Sequence, residues 1–182
     1  VESALSGVGK TVGKDNVLWY KRTVELPSAY RIGRVLLHFG AVDWQSDVYV
    51  NGKKVGSHQG GYDPFSFDIT SALKNGKQQE IVLRVWDPSD EGPQPRGKQV
   101  KNPHGIWYTP VTGIWQTVWL ENVPSTYIVT TKQIPDFDRK TIAVKAIAGN
   151  VQPGDVLKAA VYDGQQLIKE QVLSSEGEAW II

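Results

Sequence analysis

The chain has 182 residues, 20 Lys and Arg against 19 Asp and Glu, and a net charge of +1. No basic run is longer than Lys53-Lys54, so neither a nucleic-acid nor an anionic-membrane partner has electrostatic support. Forty per cent of residues are apolar, enough for one domain or one and a fraction with a sizeable core, yet no stretch approaches the roughly 18 consecutive apolar residues of a membrane helix. With no cysteine there is neither a disulfide framework nor a thiolate metal site. His38, His58 and His104 are too scattered to read as a ligand set, so no metal and no cofactor is expected. The absence of methionine, even at position 1, reads as a piece excised from a larger protein.

Taken in chain order, the elements are short strands and turns. Arg34–Phe39 and Asp47–Val50 are rich in β-branched and aromatic residues. Asn51-Gly52 between alternating runs predicts a two-residue type I′ hairpin turn, which needs positive φ at both central residues. The return strand ends at Gly60-Gly61, where a sharp turn precedes Tyr62, Pro64 and Phe65, and Asp68 is expected to cap the turn after the next strand. A second turn falls at Lys74–Lys77, then a strand at Glu80–Trp86. Asp87–Tyr108 breaks the rhythm with four prolines and three glycines. Flanked by good strands, it reads as an ordered, functional loop. Trp115–Glu121 is the next strand, and four more are expected at residues 126–131, 141–148, 156–162 and 166–173, the last two joined at Asp163-Gly164. No window shows a sustained 3.6-residue period, so helix should be minor and the fold an all-β sandwich or jelly roll. Seven tryptophans against four phenylalanines fit either core filling or stacking against sugars, and composition does not choose between these.

Two stretches carry a resemblance. Val48–Thr70 reads V-x-V-N-G-x-x-V-G-x-H-x-G-G-Y-x-P-F-x-x-D-I-T, and Thr112–Glu121 reads T-G-I-W-x-x-V-x-L-E, with Gly113 and Trp115 at its head. With Leu5–Gly9 and Leu18–Arg22 as an opening strand, they resemble the N-terminal sugar-binding domain of glycoside hydrolase family 2 over residues 1–124. The resemblance implies a jelly-roll β-sandwich over 1–124, then an immunoglobulin-like sandwich over 125–182. The 58 residues of that second part fall short of the roughly 100 such a domain needs, so it is expected to be truncated. The family's two catalytic glutamates sit on a (β/α)₈ barrel and work by double displacement. This stretch would therefore be a non-catalytic scaffold and sugar-binding portion, meeting its carbohydrate partner through the barrel. The role in polysaccharide breakdown implies a secreted, periplasmic or cell-surface protein, and members often form homo-oligomers.

The resemblance also directs attention to the long loop. Where galactosidases and glucuronidases of the family place a sugar-binding aspartate five residues before the Thr112 position, this chain has Trp107. An indole cannot accept a hydroxyl hydrogen bond, but it can stack. Trp107 and Tyr108 read either as a ligand platform or as pins for the loop. Arg96 reads as a bidentate partner for an acidic sugar, or as a partner of Asp87, Asp90 or Glu91. His104 lies near the same site, and His58 is expected to make a loop-shaping hydrogen bond. Asp43-Trp44 is read as packing at a strand end. A stand-alone carbohydrate-binding module using Trp107, Tyr108 or Trp44 remains the alternative, with a purely structural adhesion-type sandwich behind it.

Overall fold

A computed structural model describes residues 7, 9, 10, 12–174 and 179–181. Leu5, Ser6 and Val8 of the expected lead-in lie outside them. The described chain is all-β apart from two one-turn 3₁₀ helices, Ser28–Arg31 and Thr70–Ala72. It divides between Asn122 and Val123 into two compact units.

In the first unit the strands are β1 (Leu18–Glu25), β2 (Arg34–Phe39), β3 (Val42–Asp43), β4 (Gln45–Val50), β5 (Lys53–Gln59), β6 (Phe65–Asp68), β7 (Gln78–Trp86), β8 (Gly113–Ile114) and β9 (Val118–Val123). They form a four-stranded sheet ordered β1-β7-β4-β5, a three-stranded sheet ordered β6-β2-β9 and a short β3-β8 pair. Alternation along the strands sends Val35, Leu37 and Phe39 of β2, Val48 and Val50 of β4, and Leu83 and Val85 of β7 into one core, all essentially inaccessible to solvent. Each such side chain contributes about 2 kcal/mol by leaving water.

Asn51 and Gly52 do have φ of 51° and 81°. Asn51 does more than turn the chain. Its amide donates to Ala72 O at 2.9 Å and to Gln79 Oε1 at 2.7 Å, while its Oδ1 accepts from the Glu80 amide. The hairpin is thereby stitched to β7 through a fully buried glutamine. Asp68 closes the next turn by accepting from the Thr70 amide at 2.9 Å and from its hydroxyl at 2.6 Å. Phe65 stacks on Phe39 at 4.8 Å and on His58 at 4.0 Å. His58 therefore packs on an aromatic from within β5. Its Nε2 makes no hydrogen bond, contrary to the expected loop-shaping role.

The strand expected at Trp115–Glu121 is interrupted. The backbone of Trp115 and Thr117 instead bonds Ala41 and Gly40, at 3.3 and 2.8 Å, which separates β8 from β9.

The second unit contains β10 (Tyr127–Asp136), β11 (Thr141–Gly149), β12 (Val156–Asp163), β13 (Gln166–Ser174) and β14 (Ala179–Ile181), in sheets ordered β10-β11-β14 and β12-β13. The first strand outruns the expected 126–131. The β12–β13 turn centres on Gly164-Gln165, because Asp163 itself pairs with Gln166. Val156, Ile168 and Ile128 are more than half exposed, and among the described residues Ala146 is the buried apolar side chain inside its strands. Local opening should therefore be cheap here. By hydrogen-exchange mass spectrometry, β12–β13 amides should exchange at least about 100-fold faster than those of β2, β4 and β7. Equal protection would contradict this reading of the core.

Candidate functional site

Residues 87–112 hold a fixed shape because of one buried acid. Asp87, 2% exposed, accepts from the Ser89 amide at 2.8 Å, the Thr112 hydroxyl at 2.9 Å and the Gln94 amide at 3.4 Å. It thus ties the loop's start to its end. Gln94 also donates to Ser89 O at 2.7 Å. Further out, Glu91 pairs with Lys14 and Lys101, and Asp90 accepts from the Lys101 amide. None of these acids meets Arg96. Among the described residues its guanidinium has no acceptor, and its buried Nε is unsatisfied.

The loop then lays a short parallel bridge between Gln99 and Tyr108, with Tyr108 N–H to Lys98 O and Val100 N–H to Tyr108 O, both 3.0 Å. This brings Gln99 over β3. Its Nε2 donates to Asp43 Oδ2 at 3.1 Å, and its Oε1 accepts from the Val111 amide. Asp43 is itself fixed by strand pairing with Gly113. Its carboxylate, 5% exposed, lies against Gly61 so closely that a Cβ there would stand 2.5 Å from Oδ1. The Gly60-Gly61 pair is thus required by a close approach as well as by the turn. Trp115 donates from Nε1 to Gly61 O at 2.7 Å and meets Tyr62 edge-on at 6.2 Å.

Asp43, Tyr62, Gln99, Tyr108, Val111 and Trp115 line one open cleft of about 190 Å³. The Tyr62 and Tyr108 hydroxyls converge beside Gly97, where a Cβ would lie 3.1 Å from each. Burial first, then the Asp43 charge, push the Tyr62 phenol above its ordinary range and keep it a proton donor. A wider opening of about 590 Å³ between β1 and β9 is walled by core side chains such as Leu37, Phe39 and Leu83, and gathers no such polar set.

Of the four loop residues expected to touch ligand, Tyr108 lines the cleft, whereas Arg96, His104 and Trp107 do not. His104 is exposed and bonded to Asn102 O at 2.8 Å, and Trp107 is 37% exposed. Asp43 was read with Trp44 as packing at a strand end, and Gln99 was not singled out. The one hint was an acid among apolar residues at a strand end. Among the described residues no three His, Asp or Glu side chains could hold a metal, and no helix is long and apolar enough to cross a membrane.

A β-sandwich presenting a buried carboxylate, two phenols, an amide and an indole to one small cleft offers acceptors, donors and an apolar face together, as a polyhydroxylated ligand requires. Residues 9–124 match the family described as glycosyl hydrolases family 2, sugar binding domain, and the chain belongs to this family. It is 29% identical over 160 residues to a β-galactosidase from Thermoanaerobacter pseudethanolicus, covering 87% of this chain and 21% of that protein. A β-glucuronidase from Formosa agariphila is 29% identical over 144 residues, 76% of this chain and 14% of that one. The fold is shared with a crystal structure of a Ruminococcus gnavus β-glucuronidase, with TM-score 0.69 and 19% identity over 95% of this chain and 30% of that one. The chain thus spans about a fifth or less of these two curated relatives.

Proposed function

We propose that this chain forms the substrate-side wall of a retaining glycoside hydrolase whose two catalytic glutamates lie elsewhere in a longer polypeptide. The observation that carries this reading is Asp43, a buried carboxylate clamped by Gln99 and seated against Gly61 in the cleft that the Tyr62 and Tyr108 hydroxyls share. Double displacement needs two carboxyl groups about 5 Å apart, and among the described residues Asp43 is the only carboxylate on this cleft. Its role is therefore to accept hydrogen bonds from sugar hydroxyls and to orient the ring. The names of the relatives support a galactoside or glucuronide as substrate. We assign residues 125–182 to an immunoglobulin-like sandwich, a reading supported by their five described strands in two antiparallel sheets.

Calorimetric titration of the 182-residue chain with galactose and with glucuronate separates this reading from a self-sufficient binding module. A wall that waits for the rest of its site should give no saturable binding tighter than about 1 mM, equivalent to about −4 kcal/mol. Submillimolar binding that disappears in Tyr108→Ala would overturn the wall reading in favour of the module.

A further inference from the structure

The outer face of the four-stranded sheet carries a feature that the cleft does not use. Strand register places Trp19 of β1, Arg84 of β7, Asp47 of β4 and Ser57 of β5 in one row. Two residues along, Lys21, Val82, Tyr49 and Lys54 form the next row on the same face. The Trp19 and Tyr49 rings reach towards each other across β7, with centroids 6.5 Å apart and planes tilted by 33°. Trp19 is 58% exposed, the most open indole among the described residues, and the core makes no use of it.

The polar groups around this pair are joined in ion pairs, three cations to two carboxylates. Asp47 accepts from Lys54 Nζ at 2.7 Å, Ser57 Oγ at 2.7 Å and Arg84 at 3.4 Å, and Lys21 pairs with Glu80 at 2.6 Å. The hydrogen bond from Lys54, helped by Ser57 and outweighing burial, holds the Asp47 carboxyl below its ordinary range, so it stays an acceptor.

A protein partner would call for a contiguous apolar centre depleted of charge. Here five charged side chains ring two aromatic rings. That pattern suits a ligand with an apolar C–H face and a rim of hydroxyls. The C–H groups meet the electron-rich ring faces, while fixed donors and acceptors meet the hydroxyls. Two rings 6.5 Å apart suit adjacent sugars of one chain, and each of the three cations is already paired with one of the two carboxylates, which leaves none free for an anionic chain.

We propose that this face binds a neutral glycan chain, with Trp19 and Tyr49 under successive sugar rings and the Arg84–Asp47–Lys54 set bonding their hydroxyls. The site is independent of the cleft and of the hydrolase reading. The test is titration of the full 182-residue chain with cellohexaose, xylohexaose and β-1,4-galactohexaose, with hexagalacturonate as the charged comparison, followed by calorimetry and tryptophan fluorescence. Saturable binding of at least one neutral hexasaccharide is expected, weakened at least about tenfold by Trp19→Ala and by Tyr49→Ala and unchanged by Tyr108→Ala. The proposal is overturned if a folded chain binds none of the neutral chains at millimolar concentration, or prefers hexagalacturonate. It also fails if Trp19→Ala and Tyr49→Ala leave binding intact, or if only Tyr108→Ala abolishes it, which would assign the sugar to the cleft.

Discussion

Gly113→Ala should lower the melting temperature of the first unit by about 10 °C or more, the largest effect expected from any single methyl group in the chain. Two costs combine. Gly113 has φ +94°, a conformation that costs an L-residue about 1–2 kcal/mol. The new Cβ would also fall on the Tyr20 hydroxyl and 3.1 Å from Leu18 Cδ2, and overpacking of this kind costs about 1–3 kcal/mol more. The Tyr20 oxygen cannot simply withdraw, because it accepts from the Ile114 amide at 3.3 Å. Gly52→Ala is the control. Gly52 has φ +81° but no atom within 4 Å of a Cβ, so it should lose only the backbone share. Adding Tyr20→Phe to Gly113→Ala should recover part of the loss, a coupling that thermal denaturation of the double-mutant cycle would measure. An unshifted melting temperature in Gly113→Ala would mean that β8 does not cross over Tyr20.

The second large effect is expected from Asp87→Ala. It removes the acceptor for three donors in a buried knot, where each lost partner costs about 1–3 kcal/mol. A total of about 3 kcal/mol is expected, with consequences beyond stability. Asp87 joins Ser89 to Thr112, so without it residues 88–111 lose their common anchor, and Gln99 and Tyr108 lose their placement over Asp43. Urea denaturation should show the drop in stability. Limited proteolysis should show new cleavage between residues 88 and 111 at urea concentrations that leave β2 and β4 intact. Asp87→Asn keeps an acceptor at the site and should lose less than half as much. If Asp87→Ala is as stable and as protease-resistant as the parent, the loop is held by something other than this acid.

Much of the frame was legible because local chemistry decides it. Asn51-Gly52 must turn where it does, and Asp68 two residues before Thr70 closes its own turn. The alternation in β2 and β4 places their apolar residues in the core. The long loop was legible as ordered, since two strands bracket it. Where the reading failed, distant segments decide. Trp115–Thr117 has the composition of a strand, but its backbone groups are taken by Gly40 and Ala41, some seventy residues upstream. His58 sits in a motif of turn residues, yet the aromatic ring of Phe65 claims it. Arg96 has three acids within a few residues, and each is engaged elsewhere, by Ser89 and Thr112, by the Lys101 amide, or by Lys14 and Lys101.

Asp43 is the most instructive case. Its neighbours in sequence suggest only packing at a strand end, because its place in the cleft arises from Gln99 and Gly61, which only the fold brings to it. The loop residues that caught attention were aromatic and basic, whereas the cleft is organised around a carboxylate from the sheet. The aromatic residues that do line it, Tyr62, Tyr108 and Trp115, come from three separate segments.

The most direct measurement is the steady-state kinetics of Asp43→Asn in the longer glycosidase proposed to carry this chain, on whichever aryl galactoside or glucuronide that protein is found to cleave. Asparagine keeps the volume and still accepts from Gln99, so folding should be preserved while the charged acceptor is lost. The wall reading predicts a fall in kcat/KM of about 100-fold, equivalent to about 2.7 kcal/mol, at an unchanged melting temperature. An unchanged kcat/KM would contradict it, and would leave Asp43 as a buried acid that only shapes the loop.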